Sequence, residues 1–176
     1  MKKILDVGAG MYHHPDAVTT VDIRPESGAD IIADIQDGID VSDESFDCVV
    51  LNNVMEHLMR PDDAIRECKR LLKKGGKIVV AVPFLIKIHQ EPIDYGRYTE
   101  YKLRDFFKDF DTTVTPYGTL TELYINIQSD LFGLIGRKRI IAWTATKVIL
   151  FLTSFLPIIS YTDYPQGYFI VAIKKV

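Results

Sequence analysis

Short apolar runs recur along the first half of the chain, and most stop abruptly at glycine, aspartate or asparagine. Lys3–Val7 is the first. Its length and its end at Gly8-Ala9-Gly10 predict a buried strand entering a turn. Val18–Ile23, ended by Asp22, Arg24 and Pro25, predicts a second strand, and Asp30–Ala33, followed by Asp34, a short third. Asp47–Leu51 predicts a fourth, with Asn52-Asn53 at its end. The spacing then changes. Ala64, Ile65, Cys68, Leu71 and Leu72 fall on one helical face, with Asp62 or Asp63 as cap and Lys73-Lys74-Gly75 as the stop. Lys77–Val82, closed by Pro83, is the fifth strand. Thr99 is the expected N-cap of a second helix with Leu103, Phe106 and Phe107 on its apolar side. Thr112–Thr115 alternates like a strand, and Gly167–Lys174 is the last one.

Strands alternating with helices indicate an α/β fold, a parallel sheet with helices on both faces. In such sheets ligands bind beyond the carboxyl ends of the strands, where the strand order reverses. The notable polar residues all fall at those ends: Asp6 and Gly8 after the first run, Asp22 after the second, Asp34 after the third, Asn52 and Asn53 after the fourth. There is no internal repeat, linker or low-complexity tract.

The 176 residues suffice for one domain and are thin for two. A formal net charge of -3 gives no general attraction to nucleic acid, so no nucleic-acid partner is expected. The 2 cysteines, Cys48 and Cys68, lie in a strand pattern and a helix pattern. They read as core thiols in a reducing, cytoplasmic setting. The opening Met-Lys-Lys is followed at once by Ile4-Leu5-Asp6 and glycines, which is not the pattern of a secretory signal.

Gly8 and Gly10 remove side chains where the backbone must turn tightly and approach a ligand closely. The dinucleotide fingerprint needs a third glycine two residues later, opening a helix; here that position is His13. An NAD-dependent oxidoreductase is therefore poorly supported. Asp22 offers a carboxylate for both hydroxyls of a ribose, or else is a turn residue before Arg24-Pro25. Asp6 either orders the glycine loop or attracts a cationic ligand.

Taken in order, residues 4–10, Val21-Asp22-Ile23, Ala33-Asp34, the run from Phe46 to Leu58 and the run from Ala64 to Pro83 resemble the class I S-adenosylmethionine-dependent methyltransferases, in particular the small type 11-like ones. The resemblance covers about the first half of the chain. It implies a Rossmann-like fold: a mostly parallel seven-stranded sheet, helices on both faces, and a helical insert before the last strand. It implies S-adenosyl-L-methionine as cofactor. Asp6, Gly8 and Gly10 should wrap its methionine part, Asp22 hold the ribose and Ile23 lie on the adenine. Asp34 should approach the adenine amino group with Ile35 adding a backbone or apolar contact, and Asn52 should lie near the transferring methyl. The chain departs from the family between Gly10 and Val21, where a full helix is usual and little room is left.

His89 to Thr99 follows the fifth strand and is dense in His, Asp, Arg and Tyr. A subset of the same methyltransferases carries a similar arrangement over the active site. It implies an acceptor pocket shaped by Asp94, Tyr95, Arg97 and Tyr98. An Asp94–Arg97 ion pair that merely fixes the loop is the competing reading. Methyl transfer to oxygen or nitrogen sometimes needs a general base; His89 is the expected catalytic residue, with His57 the other candidate. No metal is expected: His13-His14 are adjacent and no Cys/His spacing suits zinc. A Gly-x-Ser-x-Gly hydrolase elbow is absent.

Residues 118–165 form an apolar insert, with Leu120–Ile135 and Ile140–Ile159 reading as helices split by Gly136-Arg137-Lys138-Arg139. Ile140–Ile159 is long enough to span a bilayer, but strands on both sides must join one sheet, which excludes a single crossing. An acceptor lid, peripheral membrane contact through 120–159, or a homodimer surface remain. The expected function is methyl transfer to a small-molecule, glycan or lipid-linked acceptor, by one domain over 1–176. A non-catalytic cofactor-binding protein or partner subunit is the alternative.

Overall fold

A computed structural model describes residues 2–11, 19–89, 93–120, 122–124, 126–127, 148 and 164–176. His13-His14, Glu91 and the helices expected at Leu120–Ile135 and Ile140–Ile159 lie wholly or mostly outside the described residues. The strands are β1 (Ile4–Val7), β2 (Thr19–Asp22), β3 (Ile31–Ile32), β4 (Phe46–Asn52), β5 (Leu72–Pro83), β6 (Phe110–Tyr117) and β7 (Gly167–Lys174). Helix α1 is Pro61–Leu71 and α2 is Glu100–Phe106.

The strands form one seven-stranded sheet in the order β3-β2-β1-β4-β5-β7-β6. β1 pairs in parallel with β2 and β4, β2 with β3, and β4 with β5. The order reverses between β1 and β4, and a crevice opens at the carboxyl ends of neighbouring strands at such a point. Strands covered on both faces read as continuous apolar runs rather than alternating ones. Leu5, Val49, Leu51, Ile78 and Val80 are accordingly fully buried. The apolar stripe of α1 (Ala64, Ile65, Cys68, Leu71) is buried in the same core.

Several boundaries move for local reasons. Strand β3 stops short of Asp30, whose carboxylate instead accepts from Thr20 N and Oγ1 at 2.8 and 2.9 Å. Helix α1 is not capped by Asp62 or Asp63. Its N-cap is Arg60, with Pro61 in the first turn, and the two acids follow in that turn where the helix dipole favours them. Lys73-Lys74-Gly75 does not separate helix from strand. α1 ends at Leu71 and β5 begins at once, with a bulge between the pairs Phe46–Leu72 and Cys48–Lys77. Gly76 makes that bulge feasible: a Cβ there would stand 2.9 Å from Lys73 O and 3.0 Å from Asp47 O. Thr99 caps α2 as expected, accepting from Lys102 N.

Two compact units are distinguished. One comprises Met1–Phe84, Ile88–Thr115 and Tyr168–Val176; the other comprises Leu85–Lys87 and Pro116–Gly167. In the second, the buried Gln166 side chain accepts from Asn126 Nδ2 at 3.0 Å. Because β6 and β7 are neighbours in the sheet, the chain between them has both ends on one side of any bilayer. Among the described residues no helix is long and apolar enough to cross a membrane.

Candidate active site at the carboxyl edge of the sheet

The glycine turn leaves β1 beside the reversal in strand order. Gly8 has φ +69° and donates its N–H to Val21 O at 2.7 Å, tying the turn to β2. A side chain at Gly8 would put its Cβ 2.5 Å from Val54 Cγ2, so the loop after β4 presses directly on the turn. Gly10 N donates to Asp22 Oδ2 at 2.8 Å. Asp22 Oδ1 accepts from Arg24 N at 2.8 Å and Arg24 Nε at 3.3 Å. Burial pushes the Asp22 carboxyl up, but the hydrogen bonds from Arg24 and Gly10 outweigh it and hold the group below its ordinary value. A carboxylate has about four acceptor directions. Three are used here and the side chain is 4% exposed, so Asp22 is first the anchor of the glycine turn. Asp6, beneath the turn, is also buried.

Ile23 follows Asp22 and is 56% exposed, an apolar side chain standing in solvent at the strand edge. Asp34 caps the 3-10 turn Ile35–Asp37, accepting from Gln36 N at 2.9 Å and from Gln36 Nε2 with both oxygens. The Ile35 side chain belongs to the core, which leaves its backbone for any ligand. Asn52 closes β4 and is exposed.

The loop after β5 is held together mainly by its own side chains. Arg97 makes two hydrogen bonds to Asp94, Nη1 to Oδ1 and Nη2 to Oδ2, the second at 2.6 Å. The Arg97 guanidinium accordingly holds the Asp94 carboxyl below its usual range. Asp94 Oδ2 also accepts from His89 N at 3.1 Å. Tyr98 OH donates inward to Met55 O at 3.0 Å and its ring packs edge-on against Phe106. Of the four residues expected to shape an acceptor pocket, Asp94 and Arg97 pair with each other, Tyr98 bonds to Met55 O beyond β4, and the Tyr95 ring is half exposed. Tyr98→Phe should cost about 1 kcal/mol of stability in urea denaturation, by removing one partly buried hydrogen bond.

Glu56, which the sequence reading passed over, is the most unusual group here. It is fully buried, and neither carboxylate oxygen has a hydrogen-bond partner among the described residues. Burial pushes its carboxyl above the ordinary value, and the neighbouring His57, His89 and Arg97 only partly offset this. His89 Nε2 lies 3.6 Å and His57 Nε2 3.9 Å from Glu56 Oε1. The two imidazoles meet edge to face, with centroids 5.0 Å apart. His57 is thus structurally coupled to His89. The available signal was the adjacent pair Glu56-His57 just beyond β4, a charged residue inside an otherwise apolar stretch.

Residues 5–80 match the model of a methyltransferase domain family. The chain is 32% identical over 115 residues to a ubiquinone biosynthesis O-methyltransferase of Xanthomonas oryzae pv. oryzae, covering 53% of this chain and 46% of that one. It is 32% identical over 99 residues to an uncharacterised protein of Methanocaldococcus jannaschii, covering 49% and 48%. The chain thus spans about half the length of the curated relatives it matches. Among solved structures, a SAM-dependent methyltransferase from Archaeoglobus fulgidus superposes with a TM-score of 0.66 at 18% identity, over 98% of this chain and 86% of that chain. A Haemonchus contortus phosphoethanolamine N-methyltransferase 2, solved with S-adenosyl-L-methionine, gives 0.59 at 16% identity, over 100% and 50%. Residues 5–80 are thus similar to a methyltransferase domain, and the chain has the fold of the class I S-adenosylmethionine-dependent methyltransferases.

Proposed function

We propose that this chain binds S-adenosyl-L-methionine across the carboxyl ends of β1, β2 and β4 and transfers its methyl group to a small-molecule, glycan or lipid-linked acceptor. The observation that carries this is the glycine turn, which presents bare backbone at the reversal in strand order and is locked to the buried Asp22. The residues present fit the cofactor. Gly8 lets the turn pack against Val54 as no other residue would, Ile23 offers an exposed apolar surface for a flat base, and Asp22 keeps one acceptor direction for a hydroxyl. Asp6 and Asp22 contribute negative charge opposite a cationic ligand. When bound, the cofactor supplies an electrophilic methyl group on a sulfonium.

The protein's share of the reaction is then alignment and proton removal. Asn52, exposed at the end of β4, is the residue we assign to the methyl end of the cofactor. His89, on the loop after β5, is the group placed to accept a proton from the acceptor.

Calorimetry with S-adenosyl-L-methionine, its demethylated product and NAD tests the binding half; NAD binding without adenosylmethionine binding would sink the proposal. A methyl-transfer screen across glycans, lipid-linked sugars and small metabolites tests the other half. With the acceptor so found, His89→Ala should lower kcat at least about tenfold, the low end for removing a positioned base. Its cofactor Kd should stay within about twofold. Unchanged kcat would remove His89 from the mechanism.

A further inference from the structure

Glu56, His57 and His89 come from two separate loops, yet their ligand-type atoms all lie within 4.8 Å of one another. The tautomer of His57 follows from its surroundings. Its Nδ1 lies 2.8 Å from Ile93 O, and a carbonyl only accepts, so Nδ1 carries the hydrogen. Its Nε2 is then the ring atom left for a ligand, 3.9 Å from Glu56 Oε1. Glu56 has two oxygens without a partner, in a position fully shielded from water. The Nε2 of His89 lies 3.6 Å from the same carboxylate oxygen. At 3.6 and 3.9 Å these contacts are too long for hydrogen bonds. Three ligand-type atoms that converge at such distances, with an orphaned buried carboxylate among them, leave space for a cation.

We propose that Glu56, His57 and His89 form a binding site for one divalent transition-metal cation, with two imidazole Nε2 atoms and one carboxylate as ligands. The distances suit this. Tetrahedral bonds of about 2.1 Å place ligand atoms about 3.4 Å apart, so pairs within 4.8 Å close on a metal with movements of at most about 1.4 Å. Two imidazoles and a carboxylate favour zinc, cobalt or manganese over calcium, which prefers an all-oxygen shell. The Ile93 carbonyl on His57 Nδ1 is the outer contact that orients a metal-binding imidazole. Backbone support is present too: Glu56 O accepts from Tyr95 N at 2.7 Å and Gly96 N at 3.3 Å, tying the two loops together. Three protein ligands leave a tetrahedral or larger shell open, so an oxygen from water or an acceptor completes it. The site does not depend on the cofactor-binding reading, and while it is filled His89 serves as a ligand in place of the proton acceptor, because a neutral imidazole has a single lone pair to give.

The test uses the full chain stripped with a chelator, titrated with Zn2+ alone by calorimetry and with Co2+ by visible absorption. One Zn2+ per chain is expected. Glu56→Gln and His89→Ala should each weaken it at least tenfold, while His13→Ala/His14→Ala leaves it unchanged. Gln preserves the buried volume at position 56, and circular dichroism checks that both variants fold; His89 is partly exposed, so its truncation leaves the core intact. No zinc binding, or binding that survives both substitutions, overturns the proposal. Adenosylmethionine affinity of the metal-free chain is measured alongside. Cofactor binding without zinc binding overturns the metal site and leaves the transferase reading standing; zinc without cofactor does the reverse.

Discussion

Asp22→Ala is expected to destabilise the chain by about 3 kcal/mol, because it strips partners from Gly10 N, Arg24 N and the Arg24 side chain at once. Adenosylmethionine affinity should fall by more than about tenfold, since the glycine turn loses its tie to β2 as well as a hydroxyl acceptor. Urea denaturation and calorimetry read the two losses separately. The pH dependence gives a further check. The folded carboxyl lies below its ordinary value of 3.8, so the folded state binds fewer protons than the unfolded one there. The contribution of Asp22 is complete above 3.8 and is lost as pH falls through the depressed folded value. The stability gap between wild type and Asp22→Ala should therefore hold steady from pH 7 to 5 and narrow below 4. A gap that widens on acidification would show that the carboxylate is not stabilised as described.

Gly8→Ala should cost a similar amount, about 3 kcal/mol, from two additive sources. The residue sits at φ +69°, where any side chain adds about 1 kcal/mol or more of backbone strain. The new Cβ must also displace Val54, whose Cγ2 would lie at 2.5 Å, an overpacking cost of about 1–3 kcal/mol. Gly28 is the internal control. It has φ +72° but nothing within 4 Å of an added Cβ, so Gly28→Ala should cost only the backbone share, about 1 kcal/mol. Equal losses at the two positions would mean that the close approach of Val54 to the turn is not real. Cofactor affinity should drop for Gly8→Ala and stay unchanged for Gly28→Ala.

These two positions also show what kind of information each level holds. Strand periodicity and chain breakers are local, and they located β1, β4 and β7 to within a residue or two. Gly8, Asp22 and Asn52 could be picked out as candidates because ligands in this architecture bind beyond strand ends, and strand ends are marked by the same breakers. The start of β5 was not readable: glycine and lysine look like a helix stop, and only pairing with β4 turns them into a bulge. Asp94, Arg97 and Tyr98 were legible as a polar cluster but not in their orientation. Whether a Tyr hydroxyl faces a ligand or Met55 O depends on a backbone brought from another loop.

The sequence by itself determined the α/β class, the succession of strands along the chain and the place of the glycine turn, because periodicity and chain breakers are local patterns. Tertiary structure decided the rest. It turned Asp22 from a free ribose acceptor into the anchor of the turn, and it sent the Ile35 side chain into the core. It also brought His57 and His89 onto a buried Glu56. A burial that orphans a carboxylate is a property of everything packed around it, and no local pattern of residues encodes that.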